Sequence, residues 1–379
     1  MKQRIYLDNN ASTALDSRVL DVVINDLRVS YSNPSSSHTS GQEVRSRLTK
    51  ARHSIASFFG VKHQEIIFTS GGTEAINMGI QGFFNGSFTG HIITSTVEHS
   101  SVYATVKRLE TYGCQASFLS PGLHGAILPN AVRAAIRPDT RLIALMAVNN
   151  ETGVKTDVEA IAAIAQEFGI PFLVDGVALL GKEAIHIPQG VSVMCFSGHK
   201  IHAPKGIGFA YVRAGLKLSS IIIGGDQEFG RRCGTENISG IMGLAEAIRL
   251  LKTELPTGTQ RMKALRDRFE KGIMESLSGV LINGQGPRVV NVSNLSFSGV
   301  DGESLLIGLD LEGLAASHGS ACSSGAAEPS RILLNMGVPL EKARSSIRFS
   351  LSRFTTEAEV ERAIEIVVGV VKRLRGLAS

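Results

Sequence analysis

Tryptophan is absent from the 379 residues, and cysteine is scarce, standing only at Cys114, Cys195, Cys233 and Cys322. No Cys-x-x-Cys pair or Cys/His cluster occurs, so neither a zinc site nor a disulfide framework is expected, and no metal is assigned. So few, so scattered thiols suit a reducing, cytoplasmic compartment. Long apolar runs are also missing: none approaches the ~18 residues that crossing a bilayer requires. The N-terminal MKQRIYLD passes straight into a strand-like run and a polar turn, without the apolar core of a signal peptide. No membrane association is therefore expected. Charge is modest. A net charge of +5 favours anionic ligands in general, but the basic block of a nucleic-acid binder is absent, and no such partner is expected.

What is present is an ordinary globular composition, 43% hydrophobic and 19% charged, with 40 glycines to serve tight turns. The length favours two domains. Apolar runs recur at residues 65–69 (EIIFT), 91–95 (HIITS), 141–148 (RLIALMAV), 171–175 (PFLVD) and 191–197 (VSVMCFS). Helical spacing lies between them, as at Val44, Leu48, Ile55 and Phe58. Continuous rather than alternating apolar strands, separated by helices, predict a parallel sheet covered on both faces. That is a doubly wound α/β architecture. Around Glu254–Thr259 (ELPTGT) the pattern changes. A charged amphipathic helix over Gln260–Ser276, alternating strands such as VVNVSNLSFS and a final helix over Glu357–Arg375 follow. The expected division is a large α/β domain over 15–255 and a smaller α+β domain over 256–379, with residues 1–14 packing on the smaller one.

Ligands of open α/β sheets sit beyond the carboxyl ends of the strands, and polar clusters fall at those ends. Ser70-Gly71-Gly72-Thr73-Glu74 joins a glycine turn to a helix start, where free N–H groups and the helix dipole favour a phosphate. His99 follows the 91–95 strand and is able to stack on a planar ring and move protons. Asn149-Asn150 follows the next strand. Asp175 ends a wholly apolar one, an expensive place for a carboxylate unless it meets a cation such as a protonated pyridine nitrogen. Lys200, in Cys195-Phe196-Ser197-Gly198-His199-Lys200, follows the last and is suited to forming a Schiff base with an aldehyde cofactor. Each signal alone also fits a capped helix, a structural histidine or a surface turn. Their order, one after each strand, is the order that builds a pyridoxal-phosphate site. Far downstream, Cys322 sits in a run of small residues, 315–327, that packing explains poorly, and His318 nearby would favour its thiolate.

Taken together, YLDNNAST, NPSSSH, FTSGGTEAIN, EHSS, NNETG, the Phe196–Lys200 segment, GTEN, GSACSSG and SIRFSLSRFTT resemble the cysteine desulfurases of the NifS/IscS kind. These belong to the class V aminotransferase group of fold-type I pyridoxal-phosphate enzymes. The resemblance runs over essentially the whole chain. It implies that Lys200 carries the cofactor and moves protons, Asp175 pairs with the pyridine nitrogen, and His99 stacks on the ring. It also implies that Gly72, Thr73, Ser197 and His199 hold the phosphate, and that Thr235 reaches the phosphate of the other subunit in a homodimer. Asn150 and Arg348 would position the substrate carboxylate, the arginine as a bidentate fork. Cys322 would take the sulfur of L-cysteine as a persulfide, leaving alanine, and pass it to an Fe–S scaffold or other sulfur-acceptor protein. The chain departs from that pattern at Ala178, where the family carries a glutamine, at Asp226 and at Ser350-Leu351-Ser352. A selenocysteine lyase or a thiol-independent class V aminotransferase is the alternative within enzymes. A non-catalytic binding platform for sulfur-transfer partners is the alternative outside them.

Overall fold

The computed structural model describes residues 4–377 apart from 85 and 320–328. Strand β1 (Ile5–Tyr6) belongs to a smaller layer, and the central sheet starts with the apolar runs. Its members are β2 (Ile66–Thr69), β3 (His91–Ser95), β4 (Gln115–Leu119), β5 (Thr140–Met146), β6 (Phe172–Asp175), β7 (Val193–Ser197) and β8 (Gly208–Val212). They lie in the order β2-β8-β7-β6-β5-β3-β4. Every pairing is parallel except that β8 runs antiparallel to both of its neighbours.

Alternate residues of one strand enter different cores. Ile66 and Phe68 face one side, with Val174, Phe196 and Phe209, while Ile67 joins Leu173, Val193 and Cys195 on the other. A sheet buried on both faces has no solvent side, which is why its strands read as unbroken apolar runs. Two of its strands escaped the sequence reading. β4 is an edge strand, only partly buried, and its QASFL pattern is mixed. β8 is short and antiparallel, and its first residue, Gly208, passes so close to the Gly71 turn that a Cβ would lie 2.6 Å from the Gly71 Cα.

A second core gathers Ile5 and Leu7 with Leu265, Phe269, Leu295, Phe349 and Val367. Its sheet joins β9 (Val280–Ile282), β10 (Val292–Phe297) and, after β11 (Leu314–Ala315), β12 (Ser346–Ser350), in the antiparallel order β12-β10-β9. β1 pairs in parallel with β11, and Asp8 bridges Ser350, so the start of the chain is bound to its end.

The helix expected from Gln260 begins far earlier. One helix runs from Ile238 to Ser276, straight through the ELPTGT stretch, with Pro256 inside it. Proline lacks an N–H and crowds the preceding turn, so the sequence suggests a break. Packing on both sides overrides that preference: Ile241, Leu244, Ile248 and Leu255 enter one core, and Leu265, Phe269 and Ile273 enter the other. The 39 residues span about 58 Å.

One buried ion pair ties the sheet to the loop before this helix. Glu228, at φ +50°, receives both guanidinium nitrogens of Arg52 (2.6 and 2.7 Å) and the Phe68 N–H (2.8 Å). The same guanidinium donates to the Ile66 carbonyl at 2.6 Å. Removing one member of a buried pair leaves an uncompensated charge. Arg52→Ala is expected to cost about 3–5 kcal/mol of stability in urea unfolding. The double replacement Arg52→Met with Glu228→Gln is expected to recover a large part of that loss.

Candidate active site

The carboxyl ends of β2, β3, β5, β6 and β7 open on one cavity of about 170 Å³. Its wall includes Gly72, Thr73, His99, Asn150, Asp175, Ser197, His199, Lys200 and Arg348. Nine positions named from sequence therefore share one space. Strand register explains the convergence: Met146 pairs with Asp175, so β5 and β6 end level, and Asp175 pairs with Cys195, so β7 runs two residues further to Ser197.

One side of the cavity is an anion cradle. The Gly72–Gly82 helix starts here, and its first-turn amides have no helical acceptor of their own. Gly72 is required by space, since a Cβ would stand 2.7 Å from the Val177 Cγ2. The cradle continues into an adjoining depression lined by Ser70, Thr73, Ser197, His199 and Lys205. His199 contacts the Ser12 hydroxyl at 3.3 Å through Nδ1. Burial, then the charges of Lys200 and Lys205, push its pKa down to about 4, so it is neutral at pH 7.

Opposite the cradle, Asp175 is buried and accepts the Val177 N–H at 3.0 Å. Burial raises its pKa, while His99, the Val177 amide and Lys200 pull the other way. A cationic ring nitrogen is the partner such a carboxylate lacks. His99 caps the Ser100–Glu110 helix, and its Nδ1 meets the Ser101 hydroxyl at 2.7 Å. Lys200 donates from Nζ to the carbonyls of Asn10 and Ala11, the latter at 2.9 Å. The N-terminal segment thus forms a third wall that sequence reading did not assign.

Arg348 is buried on β12 and reaches the cavity from the second core. It donates to Asp8 Oδ1 at 2.8 Å and to the Asn150 carbonyl at 2.9 Å. Its Nε and the Asn150 Oδ1 are buried without a hydrogen-bond partner. Buried polar atoms are rarely left unpaired. An unpaired donor and an unpaired acceptor on two residues of one cavity wall suit a polar ligand. With the Gly72 cradle and Asp175, these residues fit pyridoxal phosphate carrying an amino acid.

Not every expected residue is here. Thr235 is exposed and does not line the cavity of its own chain. Cys322 lies outside the described residues. Of the residues bordering its segment, Ser317 pairs with Arg348, and Ser330 donates to the buried carboxylate of Glu151. His318, expected near the thiol, gives its Nδ1 to the Ser346 carbonyl at 2.9 Å. Sequence reading missed Lys182, which lines the cavity, and Glu98, whose pKa burial raises to about 8. The one sequence signal for either was charge beside glycine or histidine, in Gly181-Lys182 and Glu98-His99.

His199, half-buried, and His202, buried, generate a pH dependence. The folded pKa values, about 4 for His199 and about 3 for His202, lie below the ordinary value near 6.5. The unfolded chain therefore binds more protons below pH ~6.5, and stability falls as pH drops through that window. Urea unfolding of the apoprotein at pH 7 and pH 5 is expected to show a smaller loss in the variant carrying both His199→Gln and His202→Gln than in the parent.

The chain is similar to known proteins over nearly its whole length. A cysteine desulfurase of Nostoc sp. (strain PCC 7120 / SAG 25.82 / UTEX 2576) is 41% identical over 377 residues, covering 99% of this chain and 94% of that protein. Among solved structures, one titled NifS-like protein aligns at a TM-score of 0.90 with 32% identity, over 98% of this chain and all of the other. Another, titled SspA in complex with cysteine, aligns at 0.83 with 32% identity, over 93% of this chain and all of the other. The family described as aminotransferase class-V matches residues 5–363. With a sheet, a cavity and a sequence that agree, the chain belongs to the class-V aminotransferase family.

Proposed function

We propose that this protein is a pyridoxal-phosphate-dependent cysteine desulfurase. It converts L-cysteine to L-alanine and retains the sulfur as a persulfide on Cys322, for delivery to Fe–S cluster assembly or another acceptor protein. The observation that carries the reading is the convergence of Lys200, Asp175, His99 and the Gly72 helix start on one cavity. Relatives named cysteine desulfurase, 41% identical over 99% of the chain, support it.

When bound, pyridoxal phosphate supplies an electron sink that makes Cα–H removal and C–S cleavage feasible. The chain's own residues do the rest. Lys200 anchors the cofactor and carries the proton at Cα, and Asp175 keeps the ring nitrogen protonated. His99 covers the ring face, while Gly72, Thr73, Ser197 and His199 hold the phosphate. Arg348 and Asn150 orient the substrate carboxylate from the second core. The thiolate of Cys322 takes the sulfur.

The state of the other cysteines supports the choice of Cys322. Cys114, Cys195 and Cys233 are buried free thiols. Burial raises the pKa of Cys114 to about 11 and lifts that of Cys195 well above the ordinary thiol. A thiol held protonated is a poor nucleophile. Ala178 lines the cavity without a polar side chain, so the family's glutamine contact is lost, worth roughly 1 kcal/mol for an ordinary hydrogen bond.

A homodimer accounts for Thr235. It is exposed, and the Cys233 N–H just before it reaches the Ile222 carbonyl at 3.4 Å, beside Ile223, which is 92% exposed. An apolar surface of that kind suits a second copy of the chain. The protein is read as cytoplasmic; among the described residues no helix is long and apolar enough to cross a membrane.

Two measurements check these assignments. Intact mass after incubation with L-cysteine is expected to rise by one sulfur atom, lost on reduction and absent in Cys322→Ala. An unchanged gain in that variant would remove Cys322 from the mechanism. Light scattering on a size-exclusion column is expected to give twice the chain mass, and Ile223→Asp to shift the protein toward the monomer.

A further inference from the structure

Among the described residues Lys182 is the only buried lysine, and the mechanism above leaves it without a task. It lines the same cavity as Lys200, and its Nζ donates to the Lys200 carbonyl oxygen at 3.1 Å. Its backbone is fixed from two sides. The Lys182 N–H donates to the Leu179 carbonyl at 3.1 Å, and the Thr259 hydroxyl of the long helix donates to the Lys182 carbonyl at 2.8 Å.

Among the described residues no carboxylate pairs with this amine. The charged groups that face it are Lys200 and Arg353, both cations. His202 also feels it and is held neutral by burial. Nearby acids are engaged elsewhere: Asp16 with Arg18 and Arg353, and Glu183 with Lys155 and the Val290 N–H. A buried cation without a counter-ion is costly, and a lysine is retained here all the same. Lys200 is in the opposite position. The Asn10 and Ala11 carbonyls and the Asp175 carboxylate all favour its charged form.

We propose that Lys182 is a positioning residue for Lys200, fixing the backbone from which that side chain projects and setting a like charge within electrostatic range of its amine. Coupling between two charges is reciprocal. Lys200 is among the causes that bring the Lys182 pKa down to about 7, so a proton on Lys182 makes a proton at the Lys200 nitrogen harder to hold. The carbonyl cage pulls the amine toward the charged form, and Lys182 offsets that pull. The nitrogen then gives up its proton more readily, as a base working at Cα requires.

The inference rests on the reading of Lys200 as the cofactor lysine, and the test separates the two. The visible absorbance of the pyridoxal-phosphate-loaded protein is titrated against pH for the parent, Lys182→Met, Lys182→Gln and Lys182→Arg. Loss of the charge is expected to raise the titration midpoint by roughly one pH unit, a ~tenfold change in proton affinity, equally in the Met and Gln variants. Lys182→Arg is expected to stay near the parent. Urea unfolding of the apoprotein supplies a second readout. The depressed folded pKa of Lys182 makes parental stability rise with pH from about 7 toward ~10.4, the ordinary lysine value, and Lys182→Met is expected to flatten that rise. A midpoint that neither neutral variant moves overturns the inference and leaves the function intact. A protein that shows no titrating chromophore in any form overturns both.

Discussion

A parallel sheet covered on both faces leaves one place for polar chemistry, the ends of its strands. Everything functional in this protein depends on that constraint. Ile66 through Thr69, His91 through Ser95 and Val193 through Ser197 are buried throughout, so each strand remains inert until its last residue. There the backbone runs out of partners, and Asp175, Ser197 and the Gly72 helix start face a common cavity. β5 and β6 end level and β7 two residues further on, which places neighbouring polar groups within reach of one small ligand. The same low-dielectric surroundings push each charge to find a partner or shed its proton. His199, Glu98 and Lys182 all show that pressure.

The cavity is nevertheless shared between two cores. Arg348 comes from the β12 sheet, and the Asn10 and Ala11 carbonyls come from a segment whose Leu7 is packed in the second core. Asp8 binds the arginine, and Asn10 contacts the Asn150 carbonyl, so the N-terminal dozen residues stitch the two halves together around the ligand space. The long helix from Ile238 to Ser276 does the same from behind, supplying side chains to both cores.

Much of this was legible in the sequence because strand-end chemistry is local. Each candidate from Gly72 to Lys200 stood beside its own apolar run, and the run located it. Arg348 was legible through motif resemblance alone, for nothing nearby in the chain shows what it faces. Lys182 was not legible. It follows a turn rather than a strand, and only the fold brings it against Lys200. The helix through Pro256 was misread for a related reason. A local helix breaker was outweighed by apolar contacts on both sides, which no window of sequence displays. Glu98 and Glu151 drew no separate reading, since burial of a carboxylate is a property of the assembled structure.

The pairing of Asp8 with Ser350 has a consequence in time. The two residues are separated by almost the entire chain, and the Asn10 N–H is bound by the Ser350 hydroxyl at 2.9 Å. The carbonyls that hold Lys200 therefore gain their full support only when β12 has been made, although Thr13 already ties the segment to His199. A nascent chain still short of that strand has its central sheet available to fold, yet its third wall is incomplete. During synthesis the active site is thus completed only with β12, which also carries Arg348.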